Sequence, residues 1–388
     1  MFVQKIDNCL PIKIWASVVE EGAMEQLHNC ASLPFAFHHV VALPDVHKGY
    51  GISIGTVMAT ENVVVPNAVG VDIGCGMLAV KTSIHKSIDV ELLKKIMGEI
   101  RKAVPVGFNH QAEMCDLSLM PKRIPGSDIP IVNQEFNSAR KQLGTLGSGN
   151  HFAEIQHDED GWVWIMIHSG SRNLGKKVCD HYNKVAKELN ERWFSSVPKE
   201  WDLAFLPLDT VEGQSYMAEM QYCVDFALAN RKLMMENICK IFKNETGCIF
   251  GEMINIAHNY AKMEHHFGKN VMVHRKGATS ARLDEIGIIP GSQGTASYIV
   301  KGKGNPDSFM SCSHGAGRAM GRKDATRRLN LEDEIKRLDD QGIIHGIKTV
   351  DDLDEASGAY KNVEVVMEEQ KDLVDMVAKL LPMAVIKG

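Results

Sequence analysis

Short apolar runs rich in β-branched and aromatic residues alternate along the chain with longer stretches in which apolar positions recur every three or four residues. HHVVALPD (His38–Asp45), ENVVVPNAVGVDIG (Glu61–Gly74) and WVWIMIH (Trp162–His168) belong to the first kind and predict strands. The apolar stretch from Val63 to Val80 carries Pro66, Asp72 and several glycines. It predicts a buried strand–turn–strand and makes a poor membrane span. Leu174–Phe194 predicts a helix after WVWIMIHSGSR. Gln214–Phe242 predicts a longer one, with Met217, Met220, Val224, Ala227, Leu233 and Ile238 at helical spacing. Its methionines are read as adaptable core rather than a soft-metal site. A last helix is predicted over Asn362–Leu381, stopped by Pro382. No repeat and no low-complexity linker marks a boundary. The pattern predicts a mixed α/β fold with glycine-rich loops following its strands.

Composition narrows the class. A chain of 388 residues has length for two to three typical domains, but one large α/β domain spans the same range. Hydrophobic residues at 44% and charged residues at 24% exclude bulk disorder. The balance of 43 Lys+Arg against 49 Asp+Glu, net −6, excludes a surface coated with positive charge. A local basic groove remains compatible with it, because phosphates are held by patches. Nine scattered cysteines, odd in number and without a CxxC pair, point to a reducing compartment. The start, MFVQKIDNCLPIKIW, lacks the basic-then-apolar signal pattern, so a cytoplasmic protein is expected.

The glycine-rich loops hold the candidate chemistry. Of the 33 glycines, many cluster in GYGISIG, GVDIGCGM, GTLGSGNHF, HSGSRNLG, IIPGSQG and SHGAGRAMG, beside His, Asp, Cys or Ser. Asp72 and Cys75, three residues apart on a tight turn, could converge on one cation; a buried structural cysteine is the plainer alternative. Of 16 histidines, His151, His168, His258 and His314 stand in such loops or at the ends of apolar runs. Three imidazoles, one thiolate and one carboxylate make a plausible two-ion site bridged by sulfur. Thiolate favours zinc or iron, whereas manganese requires selection by availability or geometry. HSGSRNLGKK sets Ser169–Arg172 before a helix, where free N–H groups attract anions. SHGAGRAMGRKDATRR puts Arg318 and Arg322 one turn apart on an expected helix, and RKGATSAR adds Arg275, Lys276 and Arg282. A solvated basic face would explain these charges. A groove of Arg172, Lys276, Arg318 and Arg322 would suit a nucleic-acid backbone. His314, expected at the start of a helix, is either a nucleophile toward phosphorus or a fourth metal ligand, and spacing leaves both open.

PDVHKGYG (Pro44–Gly51), GVDIGCGM (Gly70–Met77), GTLGSGNHFAE (Gly144–Glu154), HSGSR (His168–Arg172), HNY (His258–Tyr260), RKGATSAR (Arg275–Arg282), GIIPGSQG (Gly287–Gly294) and SCSHGAGR (Ser311–Arg318) together resemble the RtcB family of RNA ligases. The resemblance implies one α/β domain over residues 1–388 around a central dinuclear metal cleft. It implies a ligase using GTP and two Mn2+ ions to join an RNA 3′-phosphate, or a 2′,3′-cyclic phosphate first opened to it, to a 5′-hydroxyl, in RNA repair or tRNA splicing. Carried over by motif, one ion falls to Cys75, His168 and His258, the other to Asp72, Cys75 and His151. His314 becomes the guanylylated nucleophile, and an RNA-(3′)pp(5′)G intermediate follows. The guanylate pocket takes Asn150, His151, Phe152, Ala153 and Glu154 from one loop and strand, and His258 and Asn259 from another. Pro290, Gly291, Ser292, Gln293 and Ser297 join it, with His314, Gly315, Ala316, Gly317 and Lys387. Glu154 can accept from guanine N1–H and N2–H, and Asp45 is expected to brace a ligand.

Two departures from the family are visible. Gln293 replaces an expected Met in a PGSMG-like loop, and Gly107–Asn137 matches poorly, bearing on which RNA ends are admitted. Two other readings compete: a metal-dependent phosphodiesterase or phosphatase acting on RNA ends with water as nucleophile, and a non-catalytic RNA-end binder. No membrane association is expected; an accessory activator fits the reading, and a monomer is expected.

Overall fold

A computed structural model describes residues 1–85, 88–123 and 125–388. Its architecture is the expected mixture of α and β, organised by two large sheets. One sheet has six strands in the order Phe2–Gln4, Ile12–Ile14, Ala36–His47, Ile54–Thr60, Lys269–Lys276 and Asn259–His266. The other has seven, in the order Ile254–Ala257, Gly76–His85, Trp162–Ser169, Phe152–Asp158, Val374–Lys387, Ser297–Gly302 and Ile286–Ile289. Pairing within the seven-stranded sheet is antiparallel throughout. The chain crosses from this sheet to the other at His258, between Ile254–Ala257 and Asn259–His266.

The strands centre on apolar runs. Val163, Ile165 and Ile167 are buried with Leu78, Val80 and the long helix residues Met234, Met235 and Ile238 in one core cluster. The expected helices after Trp162–Ser169 and over residues 214–242 appear as Arg172–Arg192 and Val211–Thr246. The methionines Met220, Met234 and Met235 are core, as read. All nine cysteines are free. Among the described residues no helix is long and apolar enough to cross a membrane.

Three local expectations are corrected. The predicted helix over Asn362–Leu381 is only Val363–Glu369, and Val374–Lys387 is a strand. That strand lies between Phe152–Asp158 and Ser297–Gly302, and Pro382 sits at its register shift, where a bulge tolerates the missing N–H. Of Glu61–Gly74 only Val63–Val64 is strand, followed by a 3-10 turn at Pro66–Ala68. Finally, His314 starts no helix: Ser311–Ser313 is a strand, the glycine loop follows, and the helix begins at Arg322. Arg318 therefore precedes that helix rather than sharing a face with Arg322.

Candidate functional site

Register brings the ligand candidates together. Gly76 pairs with both Ala257 and Ser169, and His168 pairs with Met77 and Phe152. Cys75, His151, His168 and His258 therefore stand at one end of four neighbouring strands. His258 is further tied by its N–H to the Cys75 carbonyl at 2.8 Å.

The donor atoms converge. Cys75 Sγ lies 3.2 Å from His168 Nε2 and 3.5 Å from His151 Nε2. His168 Nε2 is 3.3 Å from His258 Nε2, and His151 Nε2 is 3.0 Å from Asp72 Oδ2. Two clusters, Cys75–His168–His258 and Asp72–Cys75–His151, share the thiol, with ligand atoms within 4.8 Å of one another in each. The second ring nitrogens fix the tautomers of two rings. His151 Nδ1 faces the Leu146 carbonyl at 3.0 Å and His168 Nδ1 the Asn150 carbonyl at 3.1 Å. A carbonyl only accepts, so Nδ1 carries the proton and Nε2 offers a lone pair inward. Lone pairs of imidazole crowded against a thiol suit cations, and this N/S/O donor set fits two of them. Asp72 reaches the cluster past Gly170, where a Cβ would lie 2.1 Å from its carboxylate.

Burial sets the protonation. Desolvation pushes the Cys75 thiol well above its usual range, with Asp72 adding to the rise. It holds the His168 and His258 imidazoles well below theirs. Burial works against the charge on Asp72, but its polar contacts at His151 and Cys75 and the nearby Arg172 outweigh it and hold the carboxyl at about 2.

His314 continues the line beyond His258, their ring centroids 4.8 Å apart. Its Nδ1 lies 2.6 Å from Asp45 Oδ2, which also accepts the His314 backbone N–H at 3.1 Å. Asp45 is completely buried. Burial alone would raise its carboxyl; the adjacent His314 more than offsets this and lowers it. Asp45 thus braces His314, where the sequence had suggested a metal-binding imidazole, and a proton held on Nδ1 leaves the His314 Nε2 lone pair free.

Beside His314 opens a cavity of about 310 Å³. Its lining brings together Asn150, Phe152, Glu154 and His168 with Pro290, Gly291, Ser292 and Gln293. His314, Gly315, Ala316, Gly317, Arg318, Arg322 and Lys387 also line it, so most of the expected guanylate residues share one cavity. The two loops are tied to each other: Ala316 N–H donates to the Pro290 carbonyl at 3.0 Å, and a Cβ on Gly315 would meet that same carbonyl at 3.4 Å. Ser292 is held within its own turn, its N–H donating to Thr295 Oγ1 at 2.7 Å.

Glu154 Oε2 accepts from Gln156, while its buried Oε1 has no partner. Burial raises its carboxyl well above the usual range against the pull of Lys387. Such an oxygen suits a ligand presenting N–H donors. Gln293, in the cavity lining, donates its amide N–H to the Glu355 carbonyl at 2.9 Å. Ser297 lies beneath the cavity, accepting from Gln156 and Gly291. Asn259 bridges loops instead of lining it, donating to the Asp72 carbonyl and accepting from Gly277 N–H. Ala153 is core.

The four expected phosphate-binding cations do not form one groove. Arg318 and Arg322 line the cavity, held by Glu355 at 3.2 and 2.8 Å. Arg172 lies beside the metal cluster, its Nε 3.2 Å from Thr145 Oγ1. Lys276 is buried, donating to the Tyr50 and Asn67 carbonyls. Burial lowers its ammonium to about 8.

Sequence reading missed Glu355 and Tyr360, which also line the cavity, and His47 at its edge. It also missed the residues behind the ligands. Asn230 of the long helix accepts from Gly144 and Thr145 N–H and donates to Thr145, Ser169 and Gly170. Neighbouring Arg231, fully buried, donates to the Gly74 and Ser169 carbonyls. A charge inside an apolar helical pattern was the available signal for Arg231.

A cluster of side chains able to hold metal ions, a histidine braced by a buried carboxylate and a cavity beside them have the makings of an enzyme site. Comparison with known sequences narrows this class. The family described as "tRNA-splicing ligase RtcB" matches residues 26–124 and 122–388. The RNA-splicing ligase RtcB of Escherichia coli (strain K12) is 38% identical, covering 97% of this chain and 97% of its own length. The tRNA-splicing ligase RtcB of Thermococcus kodakarensis is 32% identical over 95% of this chain and 92% of its own. The RNA-splicing ligase RtcB of Mycobacterium bovis is 32% identical over 94% and 100%. The chain belongs to the RtcB family of RNA ligases.

Proposed function

We propose that this enzyme joins an RNA 3′-phosphate, or a 2′,3′-cyclic phosphate opened to it, to an RNA 5′-hydroxyl, using GTP and two manganese ions. His314 Nε2 attacks the α-phosphorus of GTP, forming an N–P bond as pyrophosphate leaves. Asp45 stabilises the positive charge this places on the imidazole. An oxygen of the RNA 3′-phosphate then takes the guanylate from His314, breaking the N–P bond and restoring the free imidazole. The 5′-hydroxyl oxygen attacks the RNA 3′-phosphorus, GMP departs, and the hydroxyl proton is lost. Cations held by Cys75, His168 and His258 and by Asp72, Cys75 and His151 supply Lewis-acid stabilisation of charge on the reacting oxygens. Glu154 favours guanine through its two N–H groups, and Arg318 and Arg322 offer charge to phosphates from the cavity wall. We take the protein as a cytoplasmic monomer serving RNA repair or tRNA splicing, with room for an accessory activator.

The observation that carries this reading is the 2.6 Å contact of His314 Nδ1 with the buried Asp45, beside the ligand cluster. A hydrolase acting with water needs neither that nucleophile nor a guanine-reading carboxylate. Incubation with manganese and α-labelled GTP is the test: label stays on the protein and disappears in His314→Ala. No covalent label on the unaltered protein refutes the reading.

A further inference from the structure

Phe108 is 94% exposed, more so than any other large hydrophobic side chain among the described residues. A single exposed apolar residue is ordinary on its own; the position of this one is not. Its loop is pinned against the metal-site loop: Gly107 N–H donates to the Gly147 carbonyl at 2.7 Å, and Val106 bridges to Gly147. Asn109 N–H closes the turn onto the Val106 carbonyl, and Gln111 N–H bonds the Lys141 carbonyl. Arg172 lies against the same spot. Its guanidinium occupies the space a Cβ of Gly147 would take, 2.0 Å away, and its Nη2 is 3.5 Å from the Gly107 carbonyl. The backbone thus holds an uncovered aromatic ring one residue from a cation beside Asp72.

We infer that Phe108 is a stacking platform for an unpaired base of the 5′-hydroxyl RNA strand, whose phosphates Arg172 faces. The pairing of an exposed aromatic with an arginine is what single-stranded RNA selects, one for a base and one for the backbone. The choice of strand follows from order along the site and rests on the ligase reading above. The ligands run from Asp72 through His151, Cys75, His168 and His258 to His314, with the guanylate cavity at the His314 end. Displacement of GMP from the RNA 3′-phosphorus is in line, so the attacking oxygen enters opposite the leaving guanylate. That is the Asp72–Arg172 end, where Phe108 stands.

The test uses the full chain loaded with manganese and GTP. Because Phe108 is almost fully exposed, Phe108→Ala leaves folding intact. Its KM for a 5′-hydroxyl strand rises about tenfold, while KM for the 3′-phosphate strand, the saturating ligation rate and guanylylation of His314 stay unchanged. Phe108→Trp keeps the wild-type KM, and its fluorescence is quenched by a 5′-hydroxyl oligonucleotide. Strands with abasic nucleotides at the 5′ end erase the difference between Phe108→Ala and wild type. An unchanged KM in Phe108→Ala, or a change confined to the 3′-phosphate strand, overturns the inference. Failure of the unaltered protein to guanylylate overturns the ligase reading instead.

Discussion

Asp45→Asn isolates the electrostatic part of the nucleophile's support. In the native site the buried carboxylate lies 2.6 Å from His314 Nδ1, on the side away from the attacking nitrogen. As Nε2 bonds phosphorus, the ring gains positive charge that Asp45 faces across a charge separation of about 4 Å. At an effective dielectric of about 20 this attraction is worth about 4 kcal/mol. Losing it would slow guanylylation by up to about 10³-fold. The asparagine oxygen can still accept from Nδ1, which spares part of the effect, so about 10²- to 10³-fold is expected. An asparagine turned with its amide toward the ring would push the proton onto Nε2 and deepen the loss. Single-turnover labelling with α-labelled GTP reads the rate, with equilibrium GTP binding and thermal unfolding as controls. A labelling rate within about threefold of wild type refutes the argument, because the carboxylate's charge would then not assist the nucleophile.

Cys75→Ala removes the one ligand common to both clusters, so manganese stoichiometry falls from two to none by metal analysis and guanylylation is lost with it; retention of either ion contradicts a shared thiolate. Manganese affinity strengthens as pH rises, about tenfold per unit, because the apo Cys75 thiol is pushed up by burial and must lose its proton, while His168 and His258 are already neutral. Calorimetry in buffers of different ionisation heat should show close to one proton released on loading; none released would rule this out. Glu154→Gln places an amide N–H against the guanine donors and raises KM for GTP about 10²-fold while narrowing its advantage over ATP; unchanged nucleotide preference removes Glu154 from base reading.

Several features were legible in sequence because they are local. Apolar runs ending in glycine-flanked His, Asp or Cys marked both the strands and the ligands they carry, and helical spacing of methionines marked the long helix. What escaped depended on sheet pairing. Val374–Lys387 reads helically in isolation, yet it is a strand because Phe152–Asp158 and Ser297–Gly302 offer it partners on both sides. Its register carries Lys387 to the cavity. Asp45 looked like support for a metal ligand, since the PDVH segment by itself gave no hint that Ser311–Ser313 would deliver His314 onto it. Lys276 and Arg172 share a charge sign but not an environment: one is buried against carbonyls, the other sits at the cluster. Glu355 and Tyr360 lie in a short acidic segment with no strand or helix periodicity, and only the fold turns them toward the cavity.

Anomalous diffraction at the manganese edge, from crystals of the metal-loaded protein, is the most direct test. Two peaks are predicted, one within reach of Cys75, His168 and His258 and one within reach of Asp72, Cys75 and His151, with Cys75 Sγ bound to both. A single peak, or peaks away from Cys75, would contradict the account.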